Sequence, residues 1–242
     1  ILNVQDCYCL KTFPPAIKLP SLRELNLTEC SSLKYFPEIL ERVQIRELSL
    51  LNTGIEKLPW SICNLSDLRE LLIADDDQEM SIKIPNSIFL LPEIQEITVV
   101  SGCVEVISCN SKEAKEMSIW SKKCPNRVVF VLPYCKISDD ILRTDLSRFM
   151  NVQHLNLSSN NFTILPAWIK ECPCLKRLIL NNCKHLREVE GIPSSIRDLE
   201  AANCVSLSLE SKSIILSEQL HGAPGRYYYN SKEEACFFLC VE

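Results

Sequence analysis

The sequence contains 14 cysteines, and cysteine is the residue type here that can take part in the widest range of chemistry. Such a number suggests either a set of disulfides or a zinc site. Cys172-Pro-Cys174 is spaced as C-x-C rather than C-x-x-C, however, and no second pair follows it at the spacing of a zinc finger. We therefore expect free thiols in a reducing compartment and no bound metal.

Other chemistry-bearing residues do not form a recognisable constellation. No carboxylate partner can be assigned to His154 or His185, and the serines lack the strand-to-helix elbow that exposes a nucleophile. Neither G-x-x-x-x-G-K-[S/T] nor G-x-G-x-x-G occurs, so no phosphate-binding loop is predicted. The acidic run Asp75–Glu79 lacks the D-x-D-x-D-G order of an EF-hand and is interpreted as a solvated loop. The sequence predicts no catalytic residue and no cofactor, and hence a protein that is not an enzyme.

A repeat of about 23 residues positions these groups. The segment Leu22-Arg-Glu-Leu-Asn-Leu-Thr-Glu-Cys30 follows the pattern L-x-x-L-x-L-x-x-[N/C], which is typical of leucine-rich repeats. The fourth position of the pattern recurs at Leu2, Leu25, Leu48, Leu71, Ile97, Phe130, Leu155, Leu178 and Leu199. Apolar residues at positions one, four and six face inward, because strand side chains alternate. The ninth position holds Cys or Asn in most repeats, and these side chains are expected to bond backbone groups under the turn.

The predicted fold is an α/β repeat solenoid, a leucine-rich-repeat horseshoe with a parallel concave sheet. Its convex side is expected to consist mostly of loops and short helices, which begin at L-P-x-x-I segments such as Leu58–Ile62. We expect about nine repeats over residues 1–208, with irregular stretches at 74–84 and 103–126. Residues 209–242 do not continue the repeat and are interpreted as a remnant of a following domain. Because Ile1 already lies inside a repeat, we expect the natural N-terminus to lie upstream.

Composition excludes two classes of partner. A net charge of −5 and a pI near 5.4 give no basic stripe for nucleic acid. A membrane span needs about 20 consecutive apolar residues. The longest apolar runs, such as Val128–Leu132 and Cys236–Val241, are much shorter.

The concave face provides the candidate site, because its side chains point away from the core. Third positions hold glutamate in the early repeats, and second positions hold arginine. These columns form either a self-neutralising lattice of charges or an acidic surface that attracts a basic partner. Leu72, Val131 and Ile179 occupy fifth positions and are candidate apolar anchors for a contact zone that extends from Leu72 to Ile179. The candidate partner-binding residues are Glu24, Glu47, Glu70, Leu72, Val131, His154, Asn156, Arg177 and Ile179.

Several segments resemble one family as a set. Leu22–Pro37 and Asn52–Ile62 closely resemble repeats of plant intracellular TIR–nucleotide-binding–leucine-rich-repeat resistance proteins. Cys135–Pro166 is similar to a late-repeat block of legume members, and Cys183–Leu207 to the last repeats before the post-repeat domain. The resemblance implies a recognition and autoinhibitory module of an innate immune receptor. Its partners would be a pathogen effector or a guarded host protein, and the nucleotide-binding core of the same receptor. It implies a cytoplasmic location, with the nucleus as a second compartment of the full receptor, and it leaves NADase and nucleotide chemistry to domains absent here.

Two other classes of protein remain open. An ectodomain of a receptor-like or secreted plant protein would use N-x-S/T triplets, which occur at Asn26, Asn64, Asn156 and Asn161, as glycosylation sites. Such ectodomains typically have 24-residue repeats with G-x-I-P and paired-cysteine caps, whereas this chain has 23-residue spacing with L-P-x-x-I. An adaptor of a ubiquitin ligase would need an F-box-like helical segment upstream.

Overall fold

The repeat frame folds into stacked coils, each of which contributes one strand to a parallel sheet. The structure, a computed structural model, describes residues 1–17, 20–74, 81–100, 103–107, 128–144 and 151–221. Contacts divide the chain into two compact units, Ile1–Asn126 and Arg127–Glu242. The predicted acidic loop at Asp75–Glu79 and the tail beyond residue 221 lie outside the described residues.

The first unit has five sheet strands, and each comes from one repeat. They are all parallel and lie in the order β1 (Leu2–Asn3), β3 (Glu24–Asn26), β5 (Glu47–Leu51), β6 (Glu70–Ala74) and β8 (Glu96–Val100). Among the described residues, two 3-10 helices and three further strands lie between them, and a fourth strand follows β8. The elements in chain order are β1 (Leu2–Asn3), β2 (Ala16–Ile17), β3 (Glu24–Asn26), β4 (Glu38–Ile39), β5 (Glu47–Leu51), η1 (Trp60–Asn64), β6 (Glu70–Ala74), β7 (Ser81–Pro85), η2 (Asn86–Leu90), β8 (Glu96–Val100) and β9 (Cys103–Ile107).

The second unit continues the pattern with four parallel sheet strands in the order β10-β11-β13-β15. Its last element is a helix that follows the final coil. The elements are β10 (Val128–Val131), α1 (Asp139–Thr144), β11 (Val152–Asn156), β12 (Ile164–Leu165), η3 (Ala167–Ile169), β13 (Arg177–Ile179), β14 (Glu188–Val189), β15 (Asp198–Glu200) and α2 (Leu209–His221).

The core consists of the predicted apolar positions. Leu25 pairs with Leu48, and Leu71 pairs with Ile97, and each of these side chains is at most 2% exposed. The sixth positions Leu27, Leu157 and Leu180 are fully buried. The fold prediction of a leucine-rich-repeat solenoid with a parallel sheet is therefore confirmed. In the first coil Leu2 and Val4 are only half-buried, because within these 242 residues that coil has a neighbour on one side only.

The convex side differs from the prediction, since it contains short strands as well as loops and short helices. Parallel pairs form between β2 and β4, between β7 and β9, and between β12 and β14. Consecutive coils place extended segments side by side, so their backbone groups pair with each other. β7 and β9 overlap the stretches that the sequence marks as irregular.

The helix α2 lies against β14 and is joined to it through Ser211. The Ser208 hydroxyl accepts the Ser211 N–H at 3.1 Å, as an N-cap does. The Ser211 hydroxyl in turn accepts the Val189 N–H at 2.9 Å. The helix therefore satisfies a donor on β14 that a further convex strand would otherwise take.

Candidate functional site

The solvent face of the first unit's sheet carries a column of four glutamates, one per strand. Glu24 pairs in register with Glu47, Glu47 with Glu70, and Glu70 with Glu96. Neighbouring strands lie about 4.8 Å apart, so the carboxylates form a continuous ladder of like charge. Glu24 is half-buried and the other three are exposed. We refer to these four residues as the glutamate column.

The arginines beside the column form no ion pair with its glutamates among the described residues. Arg23, Arg46 and Arg69 are exposed. Three ion pairs form among the described residues, Lys34–Glu56, Lys83–Glu105 and Arg177–Asp198, and none includes an arginine or a glutamate of these two columns. Adjacent side chains of an extended chain diverge, so an arginine at position two does not approach the glutamate at position three. The ion pairs that a self-neutralising lattice would contain are therefore not formed between these two columns among the described residues, and both interpretations of the columns stay predictions.

Leu72 lies on the same face as the glutamate column, at the fifth position of its coil. It pairs with Ser49 on one side and with Thr98 on the other, and its side chain is half-buried. The Ser49 hydroxyl is 3.0 Å from the Thr28 hydroxyl, which orders this part of the surface. Leu72 is thus an apolar side chain between polar neighbours.

The second unit carries the remaining predicted residues in two columns. His154 pairs with Arg177, and both side chains are exposed. Asn156 lies between Val131 and Ile179, and all three are half-buried. The structure therefore brings these five residues together on β10, β11 and β13.

Charged side chains on the sheet face of the second unit contact neighbouring coils. Arg177 Nε lies 3.5 Å from Asp198 Oδ2 in the neighbouring coil. Glu200 accepts a hydrogen bond from Asn181 Nδ2 at 2.8 Å. The Asn156 side-chain oxygen accepts the Ser158 N–H at 3.0 Å. An ion pair therefore joins two coils on this surface, whereas the glutamate column forms no ion pair among the described residues.

Beneath the sheet, ninth-position side chains link successive coils. Four of them donate a hydrogen bond to the sixth-position carbonyl of the preceding coil, whereas Cys135 donates to Pro133 O in its own turn at 3.4 Å. The donors and acceptors are Cys30 Sγ and Val4 O at 3.2 Å, Asn160 Nδ2 and Leu132 O at 2.8 Å, Cys183 Sγ and Leu157 O at 3.2 Å, and Cys204 Sγ and Leu180 O at 3.0 Å. The predicted role of the ninth position is thus confirmed, although Cys7 in the first coil is exposed.

Several of the buried thiols are held in the protonated form. The nine cysteines whose side chains the structure describes are thiols and form no disulfide with one another. Burial raises the pKa of Cys135, and it raises the pKa of Cys172 to about 11. The hydrogen bond with Cys183, together with burial, raises the pKa of Cys204. A thiol held protonated in this way is a poor nucleophile and a poor metal ligand.

Two further findings concern the described residues. They contain no group of three or more His, Cys, Asp or Glu side chains arranged to hold a metal ion. Within the same ranges, none of the helices has the length and apolar character needed to cross a membrane.

Sequence reasoning missed the backbone conformation of the eighth position. Seven eighth-position residues have positive φ, between 49° and 63°, which turns the chain away from the sheet. They are Asp6, Glu29, Asn52, Tyr134, Ser159, Asn182 and Asn203. Four of these are Asn or Asp, the residues that tolerate the left-handed region best, and that enrichment was the available signal.

Stacked parallel coils with inward leucines and an outward polar sheet face define a leucine-rich-repeat scaffold. Residues 18–230 match the family model described as "Disease resistance protein RPS4B-like, leucine-rich repeats". The chain belongs to this family, and it is a leucine-rich-repeat region of a plant disease resistance protein.

Individual relatives agree with the family. The chain is 31% identical over 161 residues to Disease resistance protein RPS4B of Arabidopsis thaliana. This match covers 66% of this chain and 12% of the relative. It is 25% identical over 167 residues to TMV resistance protein N of Nicotiana glutinosa, and this match covers 69% of this chain and 14% of the relative. The chain thus spans only a small part of both relatives. Among solved structures, a leucine-rich-repeat protein of Leptospira interrogans is 14% identical with a TM-score of 0.36, over 87% of this chain and 72% of that one.

Proposed function

We propose that this chain is the protein-recognition and autoinhibitory module of a plant innate immune receptor. In this proposal it senses a pathogen effector, directly or through a host protein, and it contacts the nucleotide-binding core of the same receptor. The receptor acts in the cytoplasm, with the nucleus as a second compartment. Membership of the disease resistance family supports the proposal, and so does a sheet face that presents charged and apolar side chains on a rigid scaffold.

The glutamate column is the observation that carries the proposal. Glu47, Glu70 and Glu96 are exposed, stacked and without an ion pair among the described residues. Stacked like charges repel each other, and a partner that supplies lysine or arginine would relieve that repulsion. Such complementarity raises the association rate and favours one partner over others. Leu72 beside the column would supply the apolar contact that an electrostatic surface lacks.

The candidate residues of the second unit support a different type of contact. Arg177 is already paired with Asp198, so its replacement would affect the scaffold as well as a partner. His154, Asn156, Val131 and Ile179 present polar and apolar atoms in alternation across three strands. We propose these residues as partner contacts that contribute specificity through shape and hydrogen bonding.

Charge reversal tests the proposal. The double variant Glu47→Lys with Glu70→Lys changes the column, and Glu41→Lys with Glu190→Lys makes the same change of charge at exposed positions outside the sheet. Both are screened by two-hybrid and co-precipitation assays against secreted pathogen proteins, host proteins and the nucleotide-binding region of an RPS4B-like receptor. We expect the column variant to weaken binding by about tenfold or more, with an effect that shrinks in high salt. Equal binding by the two double variants would contradict the assignment of the column.

The alternative of a glycosylated ectodomain fits the contacts less well. Asn64 Nδ2, the atom that a glycan would modify, donates a hydrogen bond to Ile39 O at 2.6 Å in the preceding coil. A sugar on that atom would need space that the neighbouring coil occupies. Mass spectrometry of the protein from plant tissue tests this point, and a glycan on Asn64 would favour the ectodomain.

A further inference from the structure

The coil of β10 presents an apolar surface to solvent across its full width. Its third, fifth and seventh positions are Val129, Val131 and Pro133, and all three are half-buried. Tyr134 follows at the eighth position and is 53% exposed. We refer to these four residues as the apolar stripe.

The other coils of the second unit present mostly polar groups at the matching positions, with Ile179 on β13 and Ala202 after β15 as the exceptions. The β11 coil has His154, Asn156 and Ser158, and the β15 coil has Asp198 and Glu200. In register, Val129 pairs with His154 and Val131 pairs with Asn156. The apolar stripe therefore has a polar border on its β11 side. Apolar centres with polar borders are typical of protein-binding surfaces.

Tyr134 provides an independent indication that the stripe has a function. Its φ is 59°, in the left-handed region, where a bulky side chain is strongly disfavoured. The described eighth positions of the other coils hold Asp, Glu, Asn or Ser, which are smaller or less rigid. Since more than half of Tyr134 is exposed, packing does not compensate fully for the strain. Strain maintained at an exposed position is typical of a binding site.

The charges next to the stripe indicate the chemistry of the partner. His154 is exposed one strand away from Val129, and Arg177 is exposed one strand further. Asp198 lies near the Nε atom of Arg177, but a guanidinium has five N–H donors and can bind a second carboxylate. Donor groups thus lie beside an apolar surface. A complementary segment would carry an apolar or aromatic anchor close to an acidic residue.

We propose that the apolar stripe is a docking site for a partner protein segment in which an aromatic or aliphatic residue is followed or preceded closely by Asp or Glu. The biological role of this site rests on the proposed function, whereas its binding chemistry can be measured on the isolated chain.

Selection from a displayed random peptide library on the immobilised 242-residue chain tests the proposal. We expect enrichment of peptides with an apolar anchor within about two residues of a carboxylate. Affinity of a selected synthetic peptide is then measured on Tyr134→Asn, Val131→Ser and Tyr35→Asn. Tyr35 is the control, because it is 75% exposed and lies in the first unit. Loss of an anchor residue weakens binding at least tenfold. We therefore expect Tyr134→Asn and Val131→Ser to weaken peptide binding by this factor, and Tyr35→Asn to leave it unchanged.

Stability gives a second readout that separates binding from structure. Asparagine tolerates the left-handed region, so Tyr134→Asn should raise Tm while it weakens peptide binding. A lower Tm for this variant would mean that Tyr134 is held by packing, and the proposal would fall. It would also fall if selection yields no enriched peptide, or peptides that bind Val131→Ser undiminished. Basic peptides that depend on Glu47 and Glu70 would overturn this inference and leave the proposed function intact.

Discussion

Asn160 is the side chain whose removal should weaken the second unit most among the ninth-position residues. It is 1% exposed. Its Nδ2 donates to Leu132 O and to Leu157 O, both at 2.8 Å, and its Oδ1 accepts the Ile137 N–H at 2.9 Å. One amide therefore satisfies backbone groups in two successive coils. Asn160→Ala would leave the Ile137 donor and the Leu132 acceptor buried without this partner.

The expected magnitude follows from those two groups. A buried backbone group that loses its partner costs about 1–3 kcal/mol. Two such groups give a loss of about 3 kcal/mol in the free energy of unfolding, with allowance for relaxation of the turn. For a chain of this size, 1 kcal/mol corresponds to a change of about 2–4 °C in Tm, so Asn160→Ala should melt about 6–12 °C lower. The Tm of Asn160→Cys should lie between those of the wild type and Asn160→Ala. Cys183 occupies the ninth position of the next coil and donates one thiol hydrogen bond, to Leu157 O at 3.2 Å.

Thermal unfolding followed by circular dichroism gives the Tm. The rate of amide hydrogen exchange at Ile137 reports the loss of its hydrogen bond to Asn160. The control is Asn161→Ala, since Asn161 is the adjacent asparagine and is exposed. An exposed substitution of this kind changes stability by less than about 0.5 kcal/mol. If Asn160→Ala and Asn161→Ala had the same Tm and the same exchange at Ile137, the role of the ninth-position amide would be refuted.

Four other substitutions test specific contacts. Ser87 is fully buried, and its hydroxyl has no hydrogen-bond partner among the described residues, so Ser87→Ala should keep or raise stability in urea unfolding. Ser61→Ala is the comparison and should cost about 1 kcal/mol, because the Ser61 hydroxyl accepts the Ile39 N–H at 3.0 Å. A Cβ on Gly54 would meet the carbonyl oxygens of two residues of the preceding coil, one of them 3.0 Å away, so Gly54→Ala should cost about 2 kcal/mol or more in the same assay. Burial raises the pKa of Asp139, but hydrogen bonds from the Thr163 hydroxyl and N–H and from the next N–H outweigh burial and lower that pKa below its ordinary value. Its contribution to stability is therefore present above about pH 4 and is lost as pH falls through the lower folded pKa, so the difference between wild type and Asp139→Asn should shrink on acidification.

Much of the fold was predictable because the repeat sets the strand positions, the buried residues and the turn residues of each coil. Leu25, Leu48 and Leu71 recur at a fixed interval, and a fixed interval of inward leucines is satisfied only by stacked coils of equal length. The ninth-position residues followed from the same frame, since a buried turn needs a donor for its carbonyls. The sequence also assigned Glu47 and Glu70 to one column. Whether that column binds a partner stays a prediction.

The sequence did not predict how the charges are satisfied. Arg46 precedes Glu47, which suggests neutralisation, yet no ion pair forms between these columns among the described residues. Arg177 and Asp198, 21 residues apart, do form an ion pair. Pairing depends on side-chain direction and on the neighbouring coil, and adjacency along the chain does not determine either. The convex pairs β2–β4 and β7–β9 were missed for a similar reason, because their residues have no repeated pattern of their own.

The sequence by itself determined the frame: the family, the parallel coils, the buried leucines and the columns on the solvent face. These features depend on the regular spacing of residue types along the chain, which can be read directly from the sequence. Tertiary structure alone decided which polar groups are satisfied, which remain uncompensated, and that Tyr134 takes a left-handed conformation at the end of an apolar stripe. The physical reason is that a hydrogen bond, an ion pair or a strained turn depends on the coil stacked beside it, about 4.8 Å away in space and some 23 residues away in sequence.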